Sequence, residues 1–484
     1  MDIRTASATE ALGLLAKGDL GSEELLDLQL AQVRRHNDEL NLVVALDEDR
    51  ARARCREADL ARARGESWGP LHGLPMTIKD SFETEGLVTT SGAPALAGHV
   101  PDRDADAVAY LKRAGAIVYG KTNLPLYAGD FQSFNAIHGL SRNPWDPERT
   151  VGGSSGGAAA ALATGMTLLE LGSDIGGSIR CPAHYNGVAG HKPTWGAISE
   201  RGYIPGPPGT LAPTDLAVMG PLARTVEDLE LAMSLLTGPD LAGVPGGRLP
   251  PPSLAAGSLG GLRVSVWVDD PAAPTSREVK ATIRGLADRM ADEGAHVDET
   301  SRPGPSLEEM TGVYLQLLTG TKAVGFTPEV LARFQSLVDA AAPQTDSFEL
   351  ARARGAIQRH ADWLQADERR HRFMAAWARL FERVDVVLAP CAPVPAFPHD
   401  TERGFGQRLL DVDGEQVPYV RHIVWAGLAT LPLLPATAVP VGRSGSGLPI
   451  GVQIVGPRFG DRTTMAVGRL VEEVTGGFVP PPAR

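Results

Sequence analysis

The sequence predicts an α/β protein: a single large domain with a central mixed β-sheet flanked by helices. Two observations carry this. Apolar runs of strand length alternate with helical periodicities along most of the 484 residues. Strand-like runs also stand both before and after the Pro/Gly-rich stretch 238–261, with no complete α/β unit on either side, so one shared sheet explains them better than two domains. The expected organisation is one domain over 1–484: an N-terminal helical cap at 1–65, a core at 66–237, a surface connection at 238–261, and the remaining sheet and channel-lining helices at 262–484.

The elements follow in chain order. Leu12, Leu15, Leu20, Leu25, Leu28, Leu30 and Val33 lie at helical spacing broken near Gly18 and Gly21, which predicts two short helices. Asp104 to Ala114 reads as a helix opened by an acidic residue, and the run from Ala116 to Tyr119 as the strand after it. Residues 156–165 are almost all Gly and Ala, a helix able to approach its neighbours closely, and Met166 to Leu171 then reads as a buried strand. Residues 205–213 are a second Pro/Gly-rich connection. Beyond 261, strands are expected at 262–268, 384–388, 434–441 and 450–455. Helices are expected near 276–294, through about 383, and at 462–474.

Composition narrows the function classes. No stretch approaches the roughly 20 apolar residues of a membrane span, and the first 16 residues lack the pattern of a secretory signal. Cysteine is limited to Cys55, Cys181 and Cys391, an odd and widely spaced set that fits reduced thiols rather than a disulfide framework. A cytoplasmic protein with no membrane partner is expected. A net charge of −12 without a basic cluster argues against a nucleic-acid partner. The 11 histidines include no HExxH and no cluster at ligand spacing, so neither a metal nor a cofactor is expected.

Two glycine-flanked serines carry the chemical signal. Gly152-Gly153-Ser154-Ser155-Gly156-Gly157 is ambiguous alone. It fits a nucleophile-elbow pattern, but the polar, twice proline-broken segment 143–150 before it is no buried strand, and the Lys of a phosphate loop is missing. A tight turn remains open. Gly172-Ser173-Asp174-Ile175-Gly176-Gly177-Ser178-Ile179-Arg180 instead follows an apolar run, and the glycines before Ser178 let the backbone point successive N–H groups at one spot, as an oxyanion hole requires. A nucleophilic serine needs a base, and a lysine serves when burial keeps it neutral. Lys79, carried inward by Gly73-Leu74-Pro75-Met76-Thr77-Ile78, is the best candidate, set against the simpler alternative of a strand-end lysine reaching water.

With these motifs, together with Gly120-Lys121-Thr122-Asn123 and Arg142-Asn143-Pro144-Trp145-Asp146-Pro147-Glu148-Arg149, the sequence resembles the amidase signature family. The resemblance implies the amidase signature fold and a Ser-cis-Ser-Lys triad. Ser178 is then the nucleophile, Ser154 the bridging serine behind a cis Gly153–Ser154 bond, and Lys79 the base. The N–H groups of Ile175, Gly176, Gly177 and Ser178 form the oxyanion hole, and Ser155, Asp174 and Arg180 support the loops. It further implies hydrolysis of a small-molecule carboxylic amide, and a homodimer. Tyr127, Asp130, Phe131, Gln132 and Trp425 are the candidate substrate-binding residues, with Tyr314 and Tyr419 as further wall candidates. An acyltransferase or amide-forming enzyme using the same acyl-enzyme is one alternative. The amidase subunit of a tRNA-dependent amidotransferase is the other, although Cys181-Pro182-Ala183 stands where such subunits carry Gln-Pro-Ala.

Overall fold

The structure, a computed structural model, describes residues 1–204, 207–237, 257–342 and 347–482. Its centre is an eight-stranded mixed sheet. Across the sheet run His296–Asp298, Arg263–Val266, Val386–Pro390, Pro449–Val455, Ala436–Arg443, Ala189–Lys192, Val218–Ala223 and Leu169–Asp174. The first three are parallel to one another and every other neighbour pair is antiparallel. Three of these strands precede the Pro/Gly-rich stretch and five follow it, so the halves close one sheet as the sequence pattern requires. Most of the expected connection, 238–256, lies outside the described residues, as do 205 and 206 of the earlier one.

Four helices show why the pattern folds this way. The helix Arg277–Asp292 sends Val279, Ile283, Leu286 and Met290 into the main apolar core at helical spacing. Ser276 caps its first turn. The helix Gly156–Thr164 is buried on every side, which its Gly/Ala composition permits because no side chain holds its neighbours away. The helices Leu307–Lys322 and Phe348–Ile357 pack together over a second core containing Tyr314, Leu318 and Trp377. No helix among the described residues is long and apolar enough to cross a membrane.

Two features depart from the sequence-based expectation. The first 65 residues are not purely helical: Val43–Leu46 forms a strand between helices and pairs with Ile117–Thr122, which in turn pairs with Pro75–Lys79. Lys79 therefore ends a strand of a separate three-stranded sheet. The strand expected at 166–171 is shifted to Leu169–Asp174, because Ser173 and Asp174 find partners in Met219 and Val218 across an antiparallel ladder that is invisible to local periodicity.

Candidate active site

The sheet ends bring Lys79, Ser154 and Ser173 to one point. The Lys79 side chain is fully buried, and its Nζ lies 2.7 Å from Ser154 Oγ, 3.0 Å from Ser155 Oγ and 2.8 Å from Ser173 Oγ. Burial lowers its pKa to about 7, against the opposing pull of Asp174 and Glu170. A neutral amine has two N–H donors and one lone pair, so only two of the three hydroxyls can accept from it. The Ser155 hydroxyl sends its own proton to the Ser173 carbonyl at 3.4 Å, and Ser173 Oγ shares a hydrogen bond with Tyr203 OH at 2.6 Å. Ser154 Oγ has no second partner among the described residues. The arrangement that satisfies all groups has Ser155 and Ser173 accepting from Nζ while Ser154 donates to its lone pair.

The peptide bond between Gly153 and Ser154 is cis. Gly153 is required there sterically: a Cβ would stand 2.4 Å from the Asp130 carbonyl oxygen and 2.8 Å from the Gln132 nitrogen. The loop 130–132 is thus pressed directly against the Ser154 turn.

Ser178 lies on the neighbouring loop, 6% exposed, with its carbonyl accepting the Ser155 N–H at 3.1 Å, so the two serine loops are pinned side by side. Asp174 organises its loop by accepting from the N–H groups of Gly177 at 2.9 Å and Ile179 at 3.1 Å. Arg180 clamps the same carboxylate with Nε at 3.0 Å and a terminal nitrogen at 2.8 Å, and reaches Ala426 O, Gln453 Oε1 and Thr430 Oγ1 with its other donors. Burial opposes ionisation of Asp174, but Arg180 outweighs it and holds the carboxyl below its ordinary range. One member of the expected oxyanion set is displaced, because the Gly177 N–H is committed to Asp174. The N–H groups of Ile175, Gly176 and Ser178 find no acceptor among the described residues.

A narrow cleft opens on Ser178, walled by Gly176, Phe131, Leu318, Phe405 and Ile423. Of the five substrate-binding candidates, Asp130 and Phe131 line it. The Asp130 carboxylate is already engaged by Arg408 at 2.6 Å and Tyr419 OH at 2.8 Å, and it caps the Phe131 N–H at 2.7 Å. It is a structural anion, not a free receptor for a cation. The other three stand off the cleft. Gln132 is buried in a two-way hydrogen bond with the Asp400 backbone. Trp425 is fully buried and donates to Thr275 Oγ1 at 2.8 Å. Tyr127 is 41% exposed, next to the lining residue Ala128. Tyr314 and Tyr419 are likewise buried: Tyr314 OH holds the Ile175 carbonyl at 2.5 Å. A larger cavity of about 520 Å³ contains Arg408 and Tyr419 but neither Ser154 nor Ser178, so the Asp130 contacts stand between the two spaces.

The sequence reading missed Ser173, Tyr203, Lys322 and Arg352. Ser173 sits within the glycine-rich motif and had a local signal, whereas the other three reach the site only through tertiary packing.

A family model described as Amidase matches residues 24–465. The chain belongs to the amidase signature family. A glutamyl-tRNA(Gln) amidotransferase subunit from Roseiflexus sp. (strain RS-1) is 32% identical over 501 aligned positions that cover 96% of both chains. Among solved structures, an amidase superposes with a TM-score of 0.79 at 30% identity, covering 97% of this chain and 100% of its own. A 6-aminohexanoate cyclic dimer hydrolase superposes at 0.78 with 26% identity, covering 98% of each. This amidase signature protein is thus similar both to hydrolases and to a subunit named for a tRNA substrate. The likeness to that subunit overturns the expectation of a small-molecule partner alone with nucleic acid excluded. Net charge sums over the whole surface and carries no information about a local site or about a partner chain that handles the nucleic acid, so it could not support that exclusion.

Proposed function

We propose that the protein cleaves a carboxamide C–N bond through an acyl-enzyme on Ser178. The observation that carries this is the buried amine of Lys79, held near neutrality and hydrogen-bonded to Ser154, whose hydroxyl has no other partner among the described residues. In this mechanism Lys79 takes the Ser154 proton as Ser154 takes that of Ser178, whose oxygen attacks the amide carbon. The N–H groups of Ile175, Gly176 and Ser178 receive the oxyanion, each donor contributing about 3 kcal/mol to lowering the barrier. The relay returns the proton to the leaving amine, and water or another nucleophile then releases the acyl group. The three cysteines are buried and unpaired, which accords with a cytoplasmic setting.

The full-length likeness to the glutamyl-tRNA(Gln) amidotransferase chain favours a second, more specific reading: the same acyl-enzyme chemistry releasing ammonia for a tRNA-dependent amidotransferase. One experiment addresses both. Purified protein is offered glutamine and a panel of primary and aryl amides, alone and after affinity capture of partner chains. Release of ammonia or amine, lost by at least about 10⁴-fold in Ser178→Ala and Lys79→Met, is the expected result. Glutamine turnover that rises with a co-purified partner and charged tRNA supports the amidotransferase reading; vigorous turnover of other amides by the lone chain supports a free amidase. Full activity in Ser178→Ala refutes the acyl-enzyme.

A further inference from the structure

The turn that carries Ser154 is backed by a loop whose anchor lies far away in sequence. The Ser154 hydroxyl meets only Lys79 among the described residues, so the place of that oxygen is set by the backbone beneath it. That backbone lies hard against residues 130–132: a Cβ on Gly153 would stand 2.8 Å or less from backbone atoms of Asp130, Phe131 and Gln132. At such closeness the loop cannot approach Gly153 without displacing it, and a retreat opens a gap beside the Ser154 turn.

The Asp130 side chain holds this loop. Its Oδ1 accepts from the Phe131 N–H at 2.7 Å and the Gln132 N–H at 3.3 Å, which curls the loop around the carboxylate. Tyr419 OH donates to the same oxygen at 2.8 Å, and Arg408 Nη1 donates to Oδ2 at 2.6 Å. Both of these donors come from the base of one hairpin. Leu409–Val412 pairs with Glu415–Pro418, and the Tyr419 N–H donates to the Arg408 carbonyl at 3.0 Å, which sets the two residues side by side. Arg408 itself is 4% exposed. Its Nε donates to the Arg403 carbonyl at 2.8 Å, and its guanidinium lies 5.4 Å from the centres of the Phe134 and Tyr419 rings. Gln132 anchors the other end of the loop on the Asp400 backbone, but the shortest approach to Gly153 is made by the Asp130 carbonyl.

Resting on the acyl-enzyme reading above, we propose that Arg408 is a positioning residue for the reaction: through Asp130 it keeps Ser154 Oγ where that hydroxyl can pass the Ser178 proton to Lys79. Without Arg408, Oδ2 of a largely buried carboxylate has no donor. The carboxylate then turns toward water and draws the Phe131 and Gln132 amides with it, so Gly153 loses its backing and the Ser154 hydroxyl moves off the amine.

A fluorophosphonate reads this step whatever the natural substrate is. An oxygen–phosphorus bond forms on the activated serine, fluoride leaves, and the serine proton passes to the base; intact mass follows the labelling. Arg408→Met is expected to slow labelling of Ser178 by about 10- to 100-fold, the scale of a catalytic group misplaced by about 1 Å. Arg408→Lys keeps a donor for Oδ2 and should recover part of that loss. The decisive comparison is made in Ser154→Ala, which is expected to be slow already. There, adding Arg408→Met should change the rate by less than about twofold, because the group through which Arg408 acts is gone. The same factor lost in Ser154→Ala as in wild type would reveal general disruption and overturn the proposal, as would an Arg408→Met variant labelled at the wild-type rate. If Arg408→Met does not fold, the same cycle with Tyr419→Phe, which removes the other side-chain donor and keeps the ring, is read by the same two outcomes. A wild type that is not labelled, or labelling that persists in Ser178→Ala, overturns the acyl-enzyme reading and the proposal with it; Ser178-dependent labelling indifferent to Arg408 leaves the acyl-enzyme standing and removes the positioning role alone.

Discussion

The chemistry of Lys79 depends on proton placement at three hydroxyls. Because the amine must be neutral to accept from Ser154, activity follows its deprotonated fraction. With a pKa of about 7, kcat/KM should drop nearly tenfold per pH unit on the acid side and level off above it, a profile measurable with any substrate turned over. Tyr203 adds a finer test. Its hydroxyl occupies Ser173 Oγ, which leaves Ser173 free to accept from Lys79. In Tyr203→Phe the Ser173 proton can turn toward the lysine lone pair and compete with Ser154. The expected result is a loss of about tenfold in kcat with KM little changed; equal loss in both parameters, or none in either, would count against this role.

The loop from Asp174 to Arg180 is held by one buried ion pair and its hydrogen bonds. Removing one partner leaves a charge buried and unanswered, so Arg180→Met should lower stability by about 3–5 kcal/mol in denaturant titration. The folded pKa of Asp174 is depressed. Its stabilising contribution is therefore present above the ordinary carboxylate range and is lost as pH falls through the folded value, so the gap between wild type and variant should be full near neutrality and shrink in acid. The cleft wall gives a contrasting pair of substitutions. Phe131 faces the cleft and stacks on His422 with centroids 4.3 Å apart, while Trp425 is buried off the cleft and donates to Thr275. Phe131→Ala should change KM ratios among amides; Trp425→Phe should change melting temperature and leave those ratios in place.

At the scale of the molecule, the eight-stranded sheet and the smaller three-stranded one cooperate. The first carries Ser173 and Asp174 at the end of Leu169–Asp174, and the second carries Lys79 at the end of Pro75–Lys79. Thr77 joins them through its hydroxyl to Glu170 and its N–H to Thr167 Oγ1 at 3.2 Å. Breaking this seam should act on catalysis at a distance. Thr77→Val leaves the buried Glu170 carboxyl short of a donor, and a drop in melting temperature with a moderate loss of kcat is expected. Retention of both would show that the sheets are aligned by packing alone.

The role of Ser154 in the proposed relay came from the resemblance to the amidase signature family, whereas the sequence by itself determined the fold class and the shared sheet and pointed to Ser178 and Lys79 as candidates. These depend on local composition: strand-length apolar runs, glycines that only a tight backbone path needs, and a lysine embedded among apolar residues. What only the tertiary structure decided are contacts between segments far apart in the chain. Asp130 was legible as an acid near the site, but its pairing with Arg408 was not, and that pairing changes its role from receptor to scaffold. Trp425 was legible as a large aromatic residue, but whether it faces the cleft or the core is settled by its helix packing against Thr275. The glycine motif offers the Gly177 N–H to the oxyanion hole, but the folded loop aims it at Asp174. Lys322 and Arg352 look like ordinary helix-surface cations in sequence. Only the close packing of their two helices sets both on the cleft at Ser178, because charge patterns along a chain do not record which charges meet in space.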